Sequence, residues 1–325
     1  MSGAAVARLR EKFLSFFFPP EADHWVSVLR IGLGLQVALY TLATRWDWVQ
    51  LFGSSGHRLV NRDLAEAVVD LSSPFIPRLG WLIAGSEWLG LREETVLWSV
   101  WILLLVGAGF LVAGLFSRAA AVLTWFLHLC AVKSADFLTY GMDNFTTIGL
   151  FYLMLSPLPD RASLDYRWRK RTNSAPRFLG FFRRALQLHV CIIYLFAGLT
   201  KALGPEWWDG TSIWRALTSP PYNIVAPEVL VNWKLALPFL SSSVVLLELT
   251  YPVFVWFEKT RRWWLAAICA MHVAIGLTMG LYLFSLIMII LNVAAFAAPA
   301  AHSKAPLLNM AKPKEQPSGF ALDAD

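Results

Sequence analysis

The chain has 325 residues, 57% of them hydrophobic and 15% charged. Soluble domains carry about 25% charged residues, so an ordinary soluble enzyme is excluded and a polytopic membrane protein is indicated. The net charge of +6 needs no nucleic acid, because membrane orientation and lipid headgroups account for it.

The chain opens with Arg8, Arg10 and Lys12, then an apolar run at 13–18 that stops at Pro19 and Pro20. It is not a clear cleavable signal and reads as an interfacial helix on the inner surface. Eight segments of helical length follow, at about 25–44, 95–116, 119–135, 145–157, 185–203, 239–257, 263–279 and 281–298. The expected fold is therefore all-α, a transmembrane bundle of about eight spans over residues 1–300. The third, fourth and seventh segments are short or carry polar groups, so they are expected to lie against other helices. Residues 301–325 read as a short polar tail.

Loop charges give the orientation. Arg118, the run from Arg161 to Arg184, Lys259, Arg261, Arg262 and the tail lysines all fall on one side if there are eight crossings. The opposite loops are mixed or acidic, with Asp47, Asp63, Glu66, Asp70, Glu87, Glu93, Glu94, Glu206, Asp209 and Glu228. Positive charge marks the cytoplasmic side, so both termini are expected inside a cell inner membrane.

Two outer loops, 45–94 and 204–237, are aromatic-rich and expected to fold. Within the first, 73–91 reads as a re-entrant or interfacial helix over the mouth of a cavity. The three cysteines, Cys130, Cys191 and Cys269, fall inside spans and have no zinc spacing. No nucleotide-binding or hydrolase motif is present. No bound metal or nucleotide is expected, and haem ligation by His128, His189 or His272 is disfavoured by their different depths.

The polar residues within the spans are few. Arg30 and Gln36 lie in the first, His128, Lys133 and Asp136 run up the third, and Asp143 and Asn144 open the fourth. Gln187, Tyr194 and Lys201 are spaced by seven, which puts them on one face of the fifth, pointing into the bundle. Glu248 and Tyr251 lie in the sixth, His272 in the seventh and Asn292 in the eighth. A lysine inside a span is a candidate site, although Lys201 is close enough to a helix end to snorkel to the headgroups instead. His128 and His272 on apolar faces also read as packing residues.

The stretch YLFAGLTKALGPEWWDGTSIW, from Tyr194 to Trp214, resembles the signature of the HTTM family. This is the transmembrane domain shared by vitamin K-dependent gamma-glutamyl carboxylase and many bacterial proteins. VLRIGLGL around Arg30, the segment from Met142 to Asp165, LLELTYPVF around Glu248 and the segment from His272 fit the same pattern. The resemblance implies chemistry at the outer side of the membrane with reduced vitamin K or menaquinone, and matches Lys201 to the family's base. It leaves Glu248 and His272 as further catalytic candidates. Asp143, Asn144, Tyr194, Trp207, Trp208 and Asp209 are the candidates for shaping the cofactor site. Phe145 stands where the carboxylase has histidine, and the carboxylase's large lumenal domain has no expected counterpart. The quinol half of the chemistry is thus expected more than glutamate carboxylation. The expected partners are membrane lipid, an isoprenoid quinone and a small secreted peptide or protein. The competing classes are a non-catalytic membrane factor for maturation or export of such a peptide, and a lipid-binding or transport protein.

Overall fold

The computed structural model describes residues 3–54, 59, 61–169 and 176–297. The expected polar tail, and the basic residues Lys170 and Arg171, lie outside the described residues. Among the described residues the chain forms fifteen α-helices and no strand. In order they are α1 (Gly3–Phe17), α2 (His24–Ala43), α3 (Trp48–Phe52), α4 (Arg62–Ser72) and α5 (Leu79–Ser86). Then come α6 (Glu93–Ala113), α7 (Ser117–Ser134), α8 (Gly141–Leu155), α9 (Leu164–Arg169) and α10 (Pro176–Ala202). The last are α11 (Thr211–Thr218), α12 (Pro227–Asn232), α13 (Leu237–Phe254), α14 (Glu258–Met279) and α15 (Tyr282–Asn292), which continues as a π-helical turn over Val293–Ala297.

All eight predicted segments are helices, but five are long and apolar enough to cross a membrane: α2, α6, α10, α13 and α14. By length and composition, the described residues thus supply five candidate spans of the eight expected. The reason is length and polarity. At a rise of about 1.5 Å per residue, the 15-residue α8 reaches ~22 Å, against a hydrocarbon core of ~30 Å. The 18-residue α7 carries Arg118, His128 and Lys133.

The N-terminal helix is longer than the run at 13–18. Its exposed apolar residues Val6, Leu9, Phe13 and Phe16 follow helical spacing along one face. Arg184 anchors it, donating to the Phe16 carbonyl at 2.9 Å with its guanidinium over the Phe16 ring.

The core runs through α2, α6, α7, α8 and α15, with Trp25, Leu29, Leu33 and Leu104 fully buried. A polar clamp closes the face opposite the long loops. Arg30 binds both oxygens of Asp160, at 2.8 and 3.1 Å, and donates to the carbonyls of Leu111 and Val112. Asp165 accepts from the backbone N–H groups of Phe116 and Ser117 at the start of α7, at 2.9 and 2.7 Å. Gly114 sits between these groups with φ +71°, and a Cβ there would lie 2.6 Å from Ser163 and 3.0 Å from the Arg30 guanidinium carbon. The position requires glycine on both counts.

The loop segment 45–94 folds as α3, α4 and α5. Glu66 accepts from Ser134 at 2.6 Å and from the Gly80 N–H at 3.0 Å, which pins α4 and α5 onto α7. This places the 73–91 segment against α6 and α7 and away from the Lys201 end of α10, so it does not cover the site described next.

Candidate functional site

Gly198 creates the site by letting two helices touch. A Cβ there would lie 2.9 Å from the backbone nitrogen of Leu249, so α10 and α13 approach to backbone contact at this point. Lys201, one turn further along α10, then lies beside Glu248, the residue before Leu249. Its Nζ reaches both carboxylate oxygens, at 2.8 and 2.6 Å. Glu248 is buried and the lysine side chain is about a fifth exposed, at 22%. The snorkelling alternative does not hold: the ammonium turns to a buried carboxylate.

The loop 204–237 closes over this pair. The Trp207 ring lies beneath the ammonium, 5.3 Å from Nζ to the ring centre, a cation–π arrangement. Trp208 donates from its indole nitrogen to the Ala202 carbonyl at 2.9 Å and so caps the end of α10. Asp209 accepts from the Thr211 N–H at 2.8 Å. That bond holds its exposed carboxyl below the usual range. Trp207 therefore touches the site, whereas Trp208 and Asp209 set the path of the loop.

Next to the pair lies a buried hydrogen-bonded chain. Tyr251 donates to Asn292 Oδ1 at 2.5 Å, Asn292 Nδ2 donates to the Tyr194 hydroxyl at 2.7 Å, and that hydroxyl meets His272 Nε2 at 2.9 Å. All four side chains are buried. Three polar atoms on the helices that carry the pair and the chain are buried without partners among the described residues: His272 Nδ1, Ser241 Oγ and Ser285 Oγ. Ser241 lies two turns from Glu248 on the same face of α13, and Ser285 packs against Gly276, one turn from His272 on α14.

Gln187, Tyr194 and Lys201 do share the interior face of α10. Gln187 donates to the Ala295 carbonyl at 2.7 Å, and the other two bond as described. The candidates Lys201, Glu248, His272, Tyr194 and Trp207 are thus brought together. Asp143 and Asn144 are not part of this group. Asp143 lines a separate cavity of about 200 Å³ between α2, α7 and α8, with Tyr40, Thr139 and Tyr140, and accepts from the Tyr140 N–H at 3.1 Å. Asn144 is exposed and bonds within its own turn. Lys133 and Asp136 pair with each other at 2.8 Å. A further apolar groove of about 450 Å³ lies between α7, α8 and α10, with Tyr152 and His189 in its wall.

Sequence reasoning named Asn292 and Tyr251 as polar residues in spans but not as members of the site. It missed Ser241 and Ser285 altogether. Serines in helices commonly bond back to their own carbonyls, so nothing in the pattern set these two apart.

The fold and site together define a multi-pass helical membrane protein with a lysine–carboxylate pair set in a buried polar cluster. The HTTM domain model matches residues 70–299, more than half of the chain. The protein belongs to the HTTM family, and is related through it to the membrane domain of the gamma-carboxylase. No curated protein and no solved structure matches the chain significantly.

Proposed function

We propose that the protein performs quinol-linked chemistry at the outer side of the membrane, with Lys201 as the base. The observation that carries this reading is the two-oxygen contact of Lys201 with Glu248 amid buried polar atoms that lack partners. A lysine is a base only as the free amine. Within the pair, the ammonium proton can sit on Glu248, leaving an amine and a carboxylic acid. The pair then takes up one further proton and ends as ammonium and acid, acting as one unit.

The residues fit a flat, lipid-soluble group bearing oxygens. Trp207 offers a ring face, and His272, Ser241 and Ser285 offer unmet polar atoms. A reduced quinone of the vitamin K or menaquinone type, when bound, supplies an ionisable ring hydroxyl and the reducing power for reaction with oxygen. Lys201 would face that hydroxyl and His272 its other polar contacts. Phe145 packs on Phe284, with ring centres 6.2 Å apart, and Phe284 packs on His272 at 5.7 Å. An aromatic ring there offers no proton acceptor, which favours quinol oxidation over glutamate carboxylation.

The same reading takes the bundle as eight crossings of an inner membrane, with α7, α8 and α15 completing the five long helices and both termini cytoplasmic. The support is the contrast between one set of strongly basic loops and an opposite set that is mixed or acidic.

The test is oxygen consumption by purified protein given reduced menaquinone or vitamin K. Wild type should consume oxygen above background, and Lys201→Ala should lose at least about a hundredfold of that rate, the usual contribution of a general base. A folded wild type without consumption, or an undiminished Lys201→Ala, refutes the reading. One observation favours a second reading. The ammonium of Lys201 is matched by a full carboxylate, which also suits a tie between α10 and α13 in a non-catalytic maturation factor. That reading expects no oxygen uptake and a lowered Tm in Lys201→Ala.

A further inference from the structure

The hydrogen-bonded chain fixes the position of a proton. Asn292 Nδ2 lies 2.7 Å from the Met288 carbonyl, which can only accept. The amide nitrogen therefore faces that carbonyl, and the amide oxygen faces Tyr251, which must donate. The second N–H of the same amide points at the Tyr194 hydroxyl oxygen. Tyr194 is 2% exposed, and its own proton has one acceptor within reach among the described residues, His272 Nε2. A buried hydroxyl proton left without an acceptor is costly. His272 Nε2 therefore accepts, and the neutral ring carries its proton on Nδ1.

That proton is the exceptional one. His272 Nδ1 has no partner among the described residues, and the residue is 3% exposed. One turn along α14, the Ser285 hydroxyl lies against Gly276, also buried and without a partner. Its backbone N–H is already used on the Leu281 carbonyl. Two unmet donors thus occupy neighbouring turns of the α14–α15 contact, beside the Lys201–Glu248 pair. Buried donors are nearly always paired, so two unpaired ones in one strip call for an acceptor that the described residues do not provide.

We propose that His272 Nδ1–H and the Ser285 hydroxyl form an oxygen-binding subsite for a ring carbonyl or ring oxyanion of the molecule that Lys201 acts on. This rests on the reading that an aromatic, quinone-type molecule docks beside Lys201, and it adds the assignment of donors and of the tautomer. The subsite selects an acceptor oxygen and discriminates against a hydrocarbon ring of the same shape.

The test is nitrogen NMR of the full chain in detergent, with its histidine rings labelled with nitrogen-15. The chain has six histidines. The His272 signals are assigned by their loss in His272→Asn, or by their movement in Tyr194→Phe should that variant not fold. The wild type should show Nδ1 protonated and Nε2 as acceptor. Menadione, whose oxygens only accept, should shift the Nδ1 signal, while 2-methylnaphthalene should leave it in place. A proton on Nε2 overturns the proposal, as does an Nδ1 signal unmoved at menadione concentrations that saturate tryptophan quenching. The isosteres separate this role from a structural one. Asparagine carries its amide nitrogen near the Nδ1 position, glutamine near Nε2. Menadione affinity should stay within about threefold in His272→Asn and weaken about tenfold in His272→Gln and Ser285→Ala, the value of one hydrogen bond. The reverse order for the two His272 variants also overturns it. Oxygen uptake can fail while the shift appears, which would sink the quinol-oxidising function and leave the subsite standing.

Discussion

Arg30 and Lys201 are both cations set in apolar helices, and their partners separate structure from site. Arg30 is completely buried, and all three of its nitrogens donate to Asp160 or to the carbonyls of Leu111 and Val112, using four of its five N–H groups. Arg30 therefore acts as a clamp between α2, the end of α6 and the segment after α8. Removing one member of a buried pair strands the other, at a cost of about 3–5 kcal/mol. Arg30→Ala should therefore lower the Tm of the purified protein strongly. Lys133→Ala, which breaks a part-exposed pair with Asp136, should cost at most about 1 kcal/mol. Equal Tm values for the two variants would contradict the clamp. In the sequence, Arg30 and Lys201 were the same kind of signal, an ionisable residue in an apolar run. The lysine was legible as a candidate, but its partner Glu248 lies 47 positions away, and only packing distinguishes a saturated charge from one beside unmet atoms.

At the scale of the helix, the short motif AGLTK carries a packing instruction as well as a reactive group. Gly198 sets the depth at which α10 meets α13, and that depth decides whether Lys201 reaches Glu248. Alanine at this position would drive its Cβ to 2.9 Å from the Leu249 nitrogen, and backbone cannot yield as a side chain does. Overpacking of this kind costs about 1–3 kcal/mol, so Gly198→Ala should lower the Tm and also reduce any Lys201-dependent activity. Gly109 in α6 has nothing within 4 Å of its Cβ position, so Gly109→Ala should leave both unchanged and serves as the control. Matching Tm values for the two alanine variants would show that the crossing is looser than described. The helical segments themselves were readable because apolar length is local. The covering of the site was not, since 45–94 and 204–237 are alike in composition. It is specific bonds, Glu66 to Ser134 and Gly80 in one and Trp207 against Lys201 in the other, that put only the second over the lysine.

For the whole molecule, the number of crossings reduces to one question of parity. The helices α7 and α8 pack on each other, and taken as one hairpin they do not change the side on which the chain emerges. The helix α15 with its π turn decides the matter. Its 16 residues, Tyr282–Ala297, span about 24 Å, short of a ~30 Å core. Length alone argues for five or seven crossings and a tail outside. Burial argues the other way: Ser285, Ile287, Met288, Leu291 and Asn292 all face the interior, so α15 is sheathed by protein, where a short helix is tolerated at membrane depth. Asn292 also joins the Tyr194–His272 chain, which requires α15 to run alongside α10 within the bundle. The expected outcome is therefore an even count. A fluorescent protein that matures only in the cytoplasm, fused after residue 325, should fluoresce in cells, and an impermeant maleimide should label Asp209→Cys from outside while leaving Lys259→Cys unlabelled until the membrane is opened. A dark fusion with the same labelling pattern would mean that α15 turns back within the membrane, and the Lys201 site would then keep its orientation while the tail moved to the outer side.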